Sequence, residues 1–290
     1  MNHPAALSSV QAWGLTFRAC SRRAPPDGPA DVILRVDRVP APPEGTRVAS
    51  DDPRREVRLQ VPDAGCVAVR DGQTVAVDPR EGDASRLHVT LAGTVPGILF
   101  HQRGRLVLHG TAVRIKGRTA VLVGPPGTGK STLAAALLGR GGTLVTEDVA
   151  PIYTEDEMPR VHPVCQQLRL WPDAAQAVGL NALQPLYSGT EKGVVEPAEE
   201  GPARPVALDA VFVLTNGAKL EVTPLPPRER VLTLLCLSYC RSLLNGGNVR
   251  HFRQCGTLAE KVSLRRLRVP EALDRLGEVA RAVETALDRL

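Results

Sequence analysis

The sequence predicts an α/β fold, with a β-rich region at residues 1–95 ahead of a larger strand-and-helix region at residues 96–290. Three observations predict it. Between Thr119 and Leu138 an apolar run, TAVLV, enters the glycine-rich turn GPPGTGKS and leaves it as an alanine-rich helix; a short apolar run before a turn and a helical period after it mark a buried strand feeding a helix. From Cys66 to Asp78, CVAVRDGQTVAVD alternates on both sides of Asp71-Gly72, which supplies the φ > 0 positions of a two-residue hairpin turn. Near the C-terminal end Leu273, Leu276, Val279, Ala280, Val283 and Leu287 recur at the spacing of an amphipathic helix.

Composition bounds what such a fold can do. The 290 residues hold one large or two ordinary domains with an ample core. Aromatic residues are only 3% of the chain, so that core is built from Leu, Val and Ala. A formal charge of +5 suits an enzyme of anionic nucleotides and is too small to argue for nucleic acid. MNHPAALSSV has no basic stretch leading into an apolar core, and no run approaches a membrane span, so a cytoplasmic protein with no membrane partner is expected. Six cysteines, at 20, 66, 165, 236, 240 and 255, lie far apart in a chain too large to need staples, which favours free thiols. Cys236 and Cys240, like His251 and Cys255, are four apart and could together ligate zinc; without a short C-x-x-C knuckle, the simpler reading is two helices placing small side chains against the core.

In chain order, Gln11–Cys20 and Asp31–Val36 read as strands separated by the Pro/Gly-rich RRAPPDGP, and the Cys66–Asp78 hairpin follows. The N-terminal region carries no catalytic constellation; its role is structural, or it docks a partner on a strand edge. Ser85–Gln102 is helical in pattern, and RGRLVLHGTAVRIKGRTAVLV gives two strands turning at Lys116-Gly117. His109 lies one hairpin before the glycine-rich turn, with Gly110 and Thr111 after it leaving room for a close approach.

The glycine-rich turn is a P-loop, G-x-x-x-x-G-K-[ST], made by Gly124, Pro125, Pro126, Gly127, Thr128, Gly129, Lys130 and Ser131, with Thr132 next along the helix. Gly127 and Gly129 let the backbone turn its N–H groups toward phosphate oxygens, and the helix N-terminus adds a partial positive charge. Lys130 is placed to reach the β- and γ-phosphates of ATP, and the Ser131 hydroxyl to ligate Mg2+. Gly141-Gly142 ends the helix, and a strand at Thr143–Thr146 delivers Glu147-Asp148 at its C-terminal end, where a parallel sheet gathers its ligands and an acidic residue beside the P-loop strand completes a magnesium site. GPPGTGKS is also frequent in AAA+ motor ATPases; the likeness is expected to stop at the loop, because no hydrophobic run ending in Asp-Glu follows.

LVLHGTAV, the P-loop, LVTEDVAPI and QQLRLWPDA together resemble the catalytic domain of HPr kinase/phosphorylase and its relatives, among them the precursor-peptide serine kinases of lasso-peptide gene clusters. The resemblance runs from about Gly97 to Asp173 and is traceable to VSLRRLRVP; AWGLTFR and ILFHQRGRLVLHG are similar to the peptide-kinase relatives. It implies an HPr-kinase-like P-loop fold, an ATP- and Mg2+-dependent serine kinase, a peptide or small-protein acceptor and a homo-oligomer. His109 falls at an active-site histidine, Glu147-Asp148 at the pair that binds magnesium and activates the acceptor hydroxyl, and Arg169 at a basic residue near the transferred phosphate. Lys192 corresponds loosely to a lysine of the peptide kinases. The family usually has Asp where this chain has Glu147, which makes Asp148, with Ser131, the expected metal ligand; the glycine-rich EIRG-type run is absent, so HPr and phosphorolysis do not follow. Alternatives are a small-molecule kinase and an ATP-gated peptide-binding module.

Further on, Pro172 starts a short helix that Gly179 ends, and Tyr187–Arg204 reads as a mobile loop able to close over substrate. Leu208–Thr215 is a buried strand, and Arg228–Leu244, His251–Lys261 and Glu271–Leu290 are helices. The basic stretch Arg250–Arg268 is either a solvated face or a neutraliser of phosphate.

Overall fold

Backbone and side chains are described for residues 31–180, 184–239 and 249–290 of the computed structural model, and backbone alone for 9–12 and 15–20. The Pro/Gly-rich stretch at 22–29 and Cys240 lie outside these residues. The chain divides into two units, Met1–Gly104 and Arg105–Leu290.

In the first unit, β1 (Ser9–Ala12), β2 (Leu15–Cys20), β3 (Val32–Val36), β4 (Val48–Ala49), β5 (Glu56–Val61), β6 (Gly65–Arg70) and β7 (Thr74–Pro79) form one sheet, in the order β1-β2-β3-β7-β6-β5-β4. The β6–β7 hairpin turns where expected, with Asp71 at φ 49° and Gly72 at φ 64°. The helical stretch that follows is two helices, α1 (Ala84–Ala92) and α2 (Thr94–Gln102), meeting at Gly93. Asp83 caps α1 by accepting from the Ser85 N–H at 3.0 Å. α2 is apolar nearly all round and buried from Val95 to His101. It belongs whole to the first unit, whereas the boundary expected at residue 95 cuts it. Its last residue, Gln102, accepts from the Gly72 N–H at 2.8 Å and donates to the Val69 carbonyl at 3.1 Å, tying the helix to the hairpin turn.

The second unit comprises β8 (Leu106–Ile115), β9 (Arg118–Val123), α3 (Lys130–Leu138), β10 (Thr143–Thr146), β11 (Val149–Glu155), β12 (Met158–Val161), β13 (Leu168–Leu170), α4 (Pro172–Ala177), β14 (Gln184–Pro185), β15 (Gly193–Val195), β16 (Val206–Ala207), β17 (Ala210–Asn216), β18 (Glu221–Pro224), α5 (Pro227–Cys236), α6 (Val249–Lys261), β19 (Ser263–Val269) and α7 (Leu276–Leu287). Its main sheet runs β16-β12-β11-β8-β9-β17-β19-β18, with β10 also paired to β8. β9, β17 and β19 are parallel, and β9 and β17 are apolar without alternation because both of their faces are covered, whereas β19 carries Arg265, Arg266 and Arg268 between Leu264, Leu267 and Val269. Ala120 and Leu122 of β9 and Phe212 of β17 pack on one side with Leu133 of α3 and Val279 and Val283 of α7. Val121, Val123 and Val211 pack on the other with Leu234 of α5 and Leu258 of α6. The unit is a three-layer α/β/α structure.

Two expectations change. The acidic pair was placed on the strand beside the P-loop strand; β10 in fact pairs with β8, which lies between it and β9. A strand this short is recruited by the free edge of its long hairpin neighbour. The segment Tyr187–Arg204 is not loop throughout: Gly193–Val195 pairs with Leu168–Leu170 and Gln184–Pro185 in a small three-stranded sheet. Three cations of the basic stretch meet protein carboxylates on a partly exposed surface: Arg266 meets Glu229 at 2.5 Å, Arg268 meets Glu221 at 2.9 Å and Lys261 meets Glu157 at 3.5 Å.

Gly110, in β8, is approached by protein: a Cβ there stands 2.5 Å from the Leu122 carbonyl oxygen and 2.9 Å from Val123 Cγ1. Gly110→Ala is expected to destabilise by roughly 1–3 kcal/mol through overpacking at the central hairpin. Gly256 of α6 meets nothing within 4 Å, so Gly256→Ala is expected to stabilise by about 0.5–1 kcal/mol through helix propensity. Urea midpoints of the two variants, moving in opposite directions, check both.

Candidate active site

The P-loop joins β9 to α3, and its glycines are set by backbone angle. Gly127 has φ 83° and Gly129 φ 81°, with nothing within 4 Å of either would-be Cβ; the left-handed conformation, not crowding, demands glycine there. Gly129 is the N-cap of α3 and, lacking a side chain, gives the helix start no side-chain cap bond. Lys130 Nζ donates to its own loop, to the Gly124 and Pro125 carbonyls at 3.0 and 3.1 Å. Burial lowers its pKa, against the opposing charges of Glu147 and Asp148.

The acidic pair sits at a break in a long strand. β10 and β11 both pair antiparallel with β8, Thr146 opposite Ala112 and Val149 opposite His109. Between them the Val149 N–H donates to the Glu147 carbonyl at 2.7 Å, a three-residue turn that puts Asp148 at φ 66°. In an unbroken strand consecutive side chains point to opposite faces. This turn brings Glu147 and Asp148 into one cavity.

Their surroundings differ. Glu147 is 2% exposed and accepts from Ser131 Oγ at 2.5 Å and Thr111 Oγ1 at 2.6 Å. Burial pushes its carboxyl above the ordinary range, more than the two hydroxyls pull it back. Asp148 Oδ1 lies 3.2 Å from His109 Nδ1, and Oδ2 lies 3.5 Å from Arg169 Nη1. Burial pushes this carboxyl up, but the His109 bond with the charges of His109, Arg169 and Lys192 outweighs it, and the pKa falls below the usual value. His109 Nδ1 faces only acceptors, since the Asp148 carbonyl is also 3.1 Å away, so Nδ1 carries a proton.

The Ser131 hydroxyl bonds to Glu147, whereas Asp148, which the sequence pairs with Ser131 as a metal ligand, stands with His109 and Arg169 in the same cavity. The register explains it, for Glu147 lies across from Thr111 and Asp148 from Gly110, whose N–H donates to the Asp148 carbonyl at 3.2 Å. Thr111 was noted only for the room it leaves. Its signal was the period of two from His109, which places both on one strand face.

The cavity enclosing these groups measures ≈ 680 Å3, and Thr132, Lys192, Trp171 and Leu186 also reach it. A second, ≈ 240 Å3, lies against Gly127, Thr128 and Thr132 and is walled by Leu214, Asn216, Pro270 and Leu273. Of the zinc candidates, Cys236 is exposed at the end of α5, while Cys255 is buried and its thiol is pushed up to about 12. His251 Nε2 is 2.9 Å from Ser238 Oγ. No helix among the described residues is long and apolar enough to cross a membrane.

A family model described as "AAA domain" matches residues 119–182, from the P-loop strand past Glu147, Asp148 and Arg169. The likeness to AAA-type sequences thus extends beyond the loop to which the sequence analysis confined it. No curated protein matches the chain significantly in sequence. Among solved structures it is similar to the Hpr(Ser) kinase/phosphatase from Coxiella burnetii, at 11% identity and a TM-score of 0.35, over 63% of this chain and 93% of that one. That likeness is too slight to carry an argument about activity. The chain is an α/β protein with a P-loop of the nucleotide-binding kind.

The raised Glu147 pKa has a consequence for stability. A carboxyl whose folded pKa exceeds its unfolded value disfavours folding once ionised, so its penalty grows as pH rises from the unfolded value of about 4.3 through the folded one. Glu147→Gln removes that titration. Without ligand, the melting temperature of the variant relative to wild type is expected to rise as the pH is raised above about 4.3. Paired thermal scans above that pH check it; a relative fall refutes the assignment.

Proposed function

We propose that the protein is a kinase, transferring the γ-phosphoryl group of ATP, with magnesium, to a hydroxyl. The observation that carries this is the pair of adjacent carboxylates in one cavity whose surroundings push their protonation in opposite directions. Beside the carboxylate at Ser131 stands a second one, fixed by a histidine and an arginine and able to orient a hydroxyl nucleophile.

The donor set fits magnesium nucleotide. The Ser131 hydroxyl and Glu147 carboxylate are hard oxygen donors already in contact, and magnesium there would neutralise charge on the β- and γ-phosphates. Lys130 would exchange its loop carbonyls for phosphate oxygens, joined by the loop amides and the N-terminus of α3. The smaller, mostly apolar cavity on the far side of the loop suits the nucleoside. Asp148 accepts the acceptor's hydroxyl proton as that oxygen bonds to the γ-phosphorus and the bond to the β–γ bridging oxygen breaks, releasing ADP. His109 orients Asp148. Arg169, one-tenth exposed, offsets charge gathering on the transferred group.

The acceptor we propose is a serine of a peptide or small protein, lasso-peptide precursors among the candidates. The motifs around His109, Glu147-Asp148 and Arg169 support this, as does a cavity larger than the phosphates require. The reaction is placed in the cytoplasm, where ATP is plentiful.

Lys130→Ala is expected to abolish nucleotide binding by calorimetry, since it removes the point charge aimed at the phosphates; wild-type affinity removes the P-loop from the mechanism. Asp148→Asn is expected to retain nucleotide binding and lose transfer by roughly 10² or more, because the amide has neither charge nor basicity. Labelled ATP, magnesium and serine-containing peptides, assayed beside nucleotide binding on the same preparations, measure this. Unchanged transfer in Asp148→Asn sinks the proposed centre. A wild type that binds nucleotide and peptide but transfers to no peptide or small alcohol is a binding module.

A further inference from the structure

The larger cavity is lined by the P-loop, Glu147, Asp148, His109 and Arg169 and also by the apolar side chains of Trp171 and Leu186. Trp171 is 53% exposed, although the strand before it is well packed, with Leu168 and Leu170 each at 1%. Strand alternation explains the contrast. Leu168 and Leu170 point into the core, so Arg169 and Trp171 share the opposite face, the face from which Arg169 reaches Asp148. Two residues of strand separate their backbones by about 7 Å.

Helix capping gives no reason for this tryptophan. Trp171 is the N-cap of α4 and makes no side-chain cap bond there, at a position that favours Ser, Thr, Asp or Asn. The nucleoside gives none either, because the smaller cavity on the other side of the P-loop supplies an apolar slot of its own. Leu186 is fixed to Lys192 by its N–H donating to the Lys192 carbonyl at 3.0 Å, so one hairpin carries an apolar and a cationic side chain into the cavity.

Building on the kinase reading above, we propose that Trp171 and Leu186 form the acceptor-recognition subsite, and that the acceptor presents a large apolar or aromatic side chain within a residue or two of the phosphorylated hydroxyl. The separation of Arg169 from Trp171 matches that reach in an extended peptide. Burying such a side chain on the indole face would add binding that the polar end cannot provide.

The test uses the full-length protein and synthetic peptides with one fixed serine, whose neighbouring positions are set in turn to Phe, Leu, Ala or Asp. Wild type is expected to phosphorylate Phe- and Leu-flanked peptides best. Trp171→Ala is expected to raise KM for these by about 10-fold or more, with kcat and KM for ATP unchanged and no remaining preference for Phe over Ala. An unaltered preference in Trp171→Ala overturns the subsite, and so does a rise in KM for ATP, which places the ring against the nucleotide. Binding is read separately. In a Trp13→Phe background Trp171 is the sole tryptophan, and its fluorescence in the presence of ADP is expected to change saturably with Phe-flanked but not Asp-flanked peptide. Fluorescence change without transfer keeps the subsite and removes the kinase reading; transfer with no change removes the subsite and keeps the kinase.

Discussion

Everything chemical in the second unit depends on the turn at Asp148. Its 2.7 Å hydrogen bond between Glu147 and Val149 and its φ of 66° interrupt a strand that otherwise pairs with β8 along its length. A non-glycine residue held at positive φ is uncommon and costs on the order of 1 kcal/mol or more, so surrounding bonds must hold it. They are present on both sides: Gly110 donates to the Asp148 carbonyl and Glu147 donates to the Cys165 carbonyl, while His109 and Arg169 hold the Asp148 side chain. Without the turn one of the two carboxylates would face away from the P-loop.

The same turn separates two adjacent carboxylates chemically. Glu147 enters an environment of hydroxyls and hydrocarbon, where burial raises its pKa. Asp148 enters one of cations and N–H donors, which keeps it charged. A depressed pKa makes Asp148 a weak base; in the kinase reading proposed above, its value would lie in a fixed position and charge, because positioning and electrostatics outweigh proton abstraction in phosphoryl transfer. Glu147 has one more methylene than the Asp usual at this position in the HPr-kinase-like family. In the fold it spans the gap to Ser131 and Thr111.

Parallel strands buried on both faces give the site a stiff floor. β9 and β17 are fixed by apolar layers above and below, and the P-loop hangs from the end of β9. At that end Gly124, at φ 155°, passes within 2.7 Å, measured from its would-be Cβ, of the Leu214 carbonyl, so the loop's first glycine is held against β17. The first unit contributes a separate sheet and its own buried helix, α2.

Local chemistry was legible from the chain alone. The P-loop glycines, the hairpin turns at Asp71-Gly72 and Lys116-Gly117, the buried strand at Leu208–Thr215 and the amphipathic stripe of α7 each follow from a few consecutive residues, because φ > 0 and hydrophobic period are local constraints. Tertiary structure alone decided which carboxylate meets Ser131, that β8 intervenes between the P-loop strand and the acidic pair, that residues 193–195 join β13, and that Trp171 shares a face with Arg169 above the cavity. Pairing register and the hand of a single turn are set by contacts between segments distant in sequence, and a one-residue shift in either sends every side chain to the opposite face.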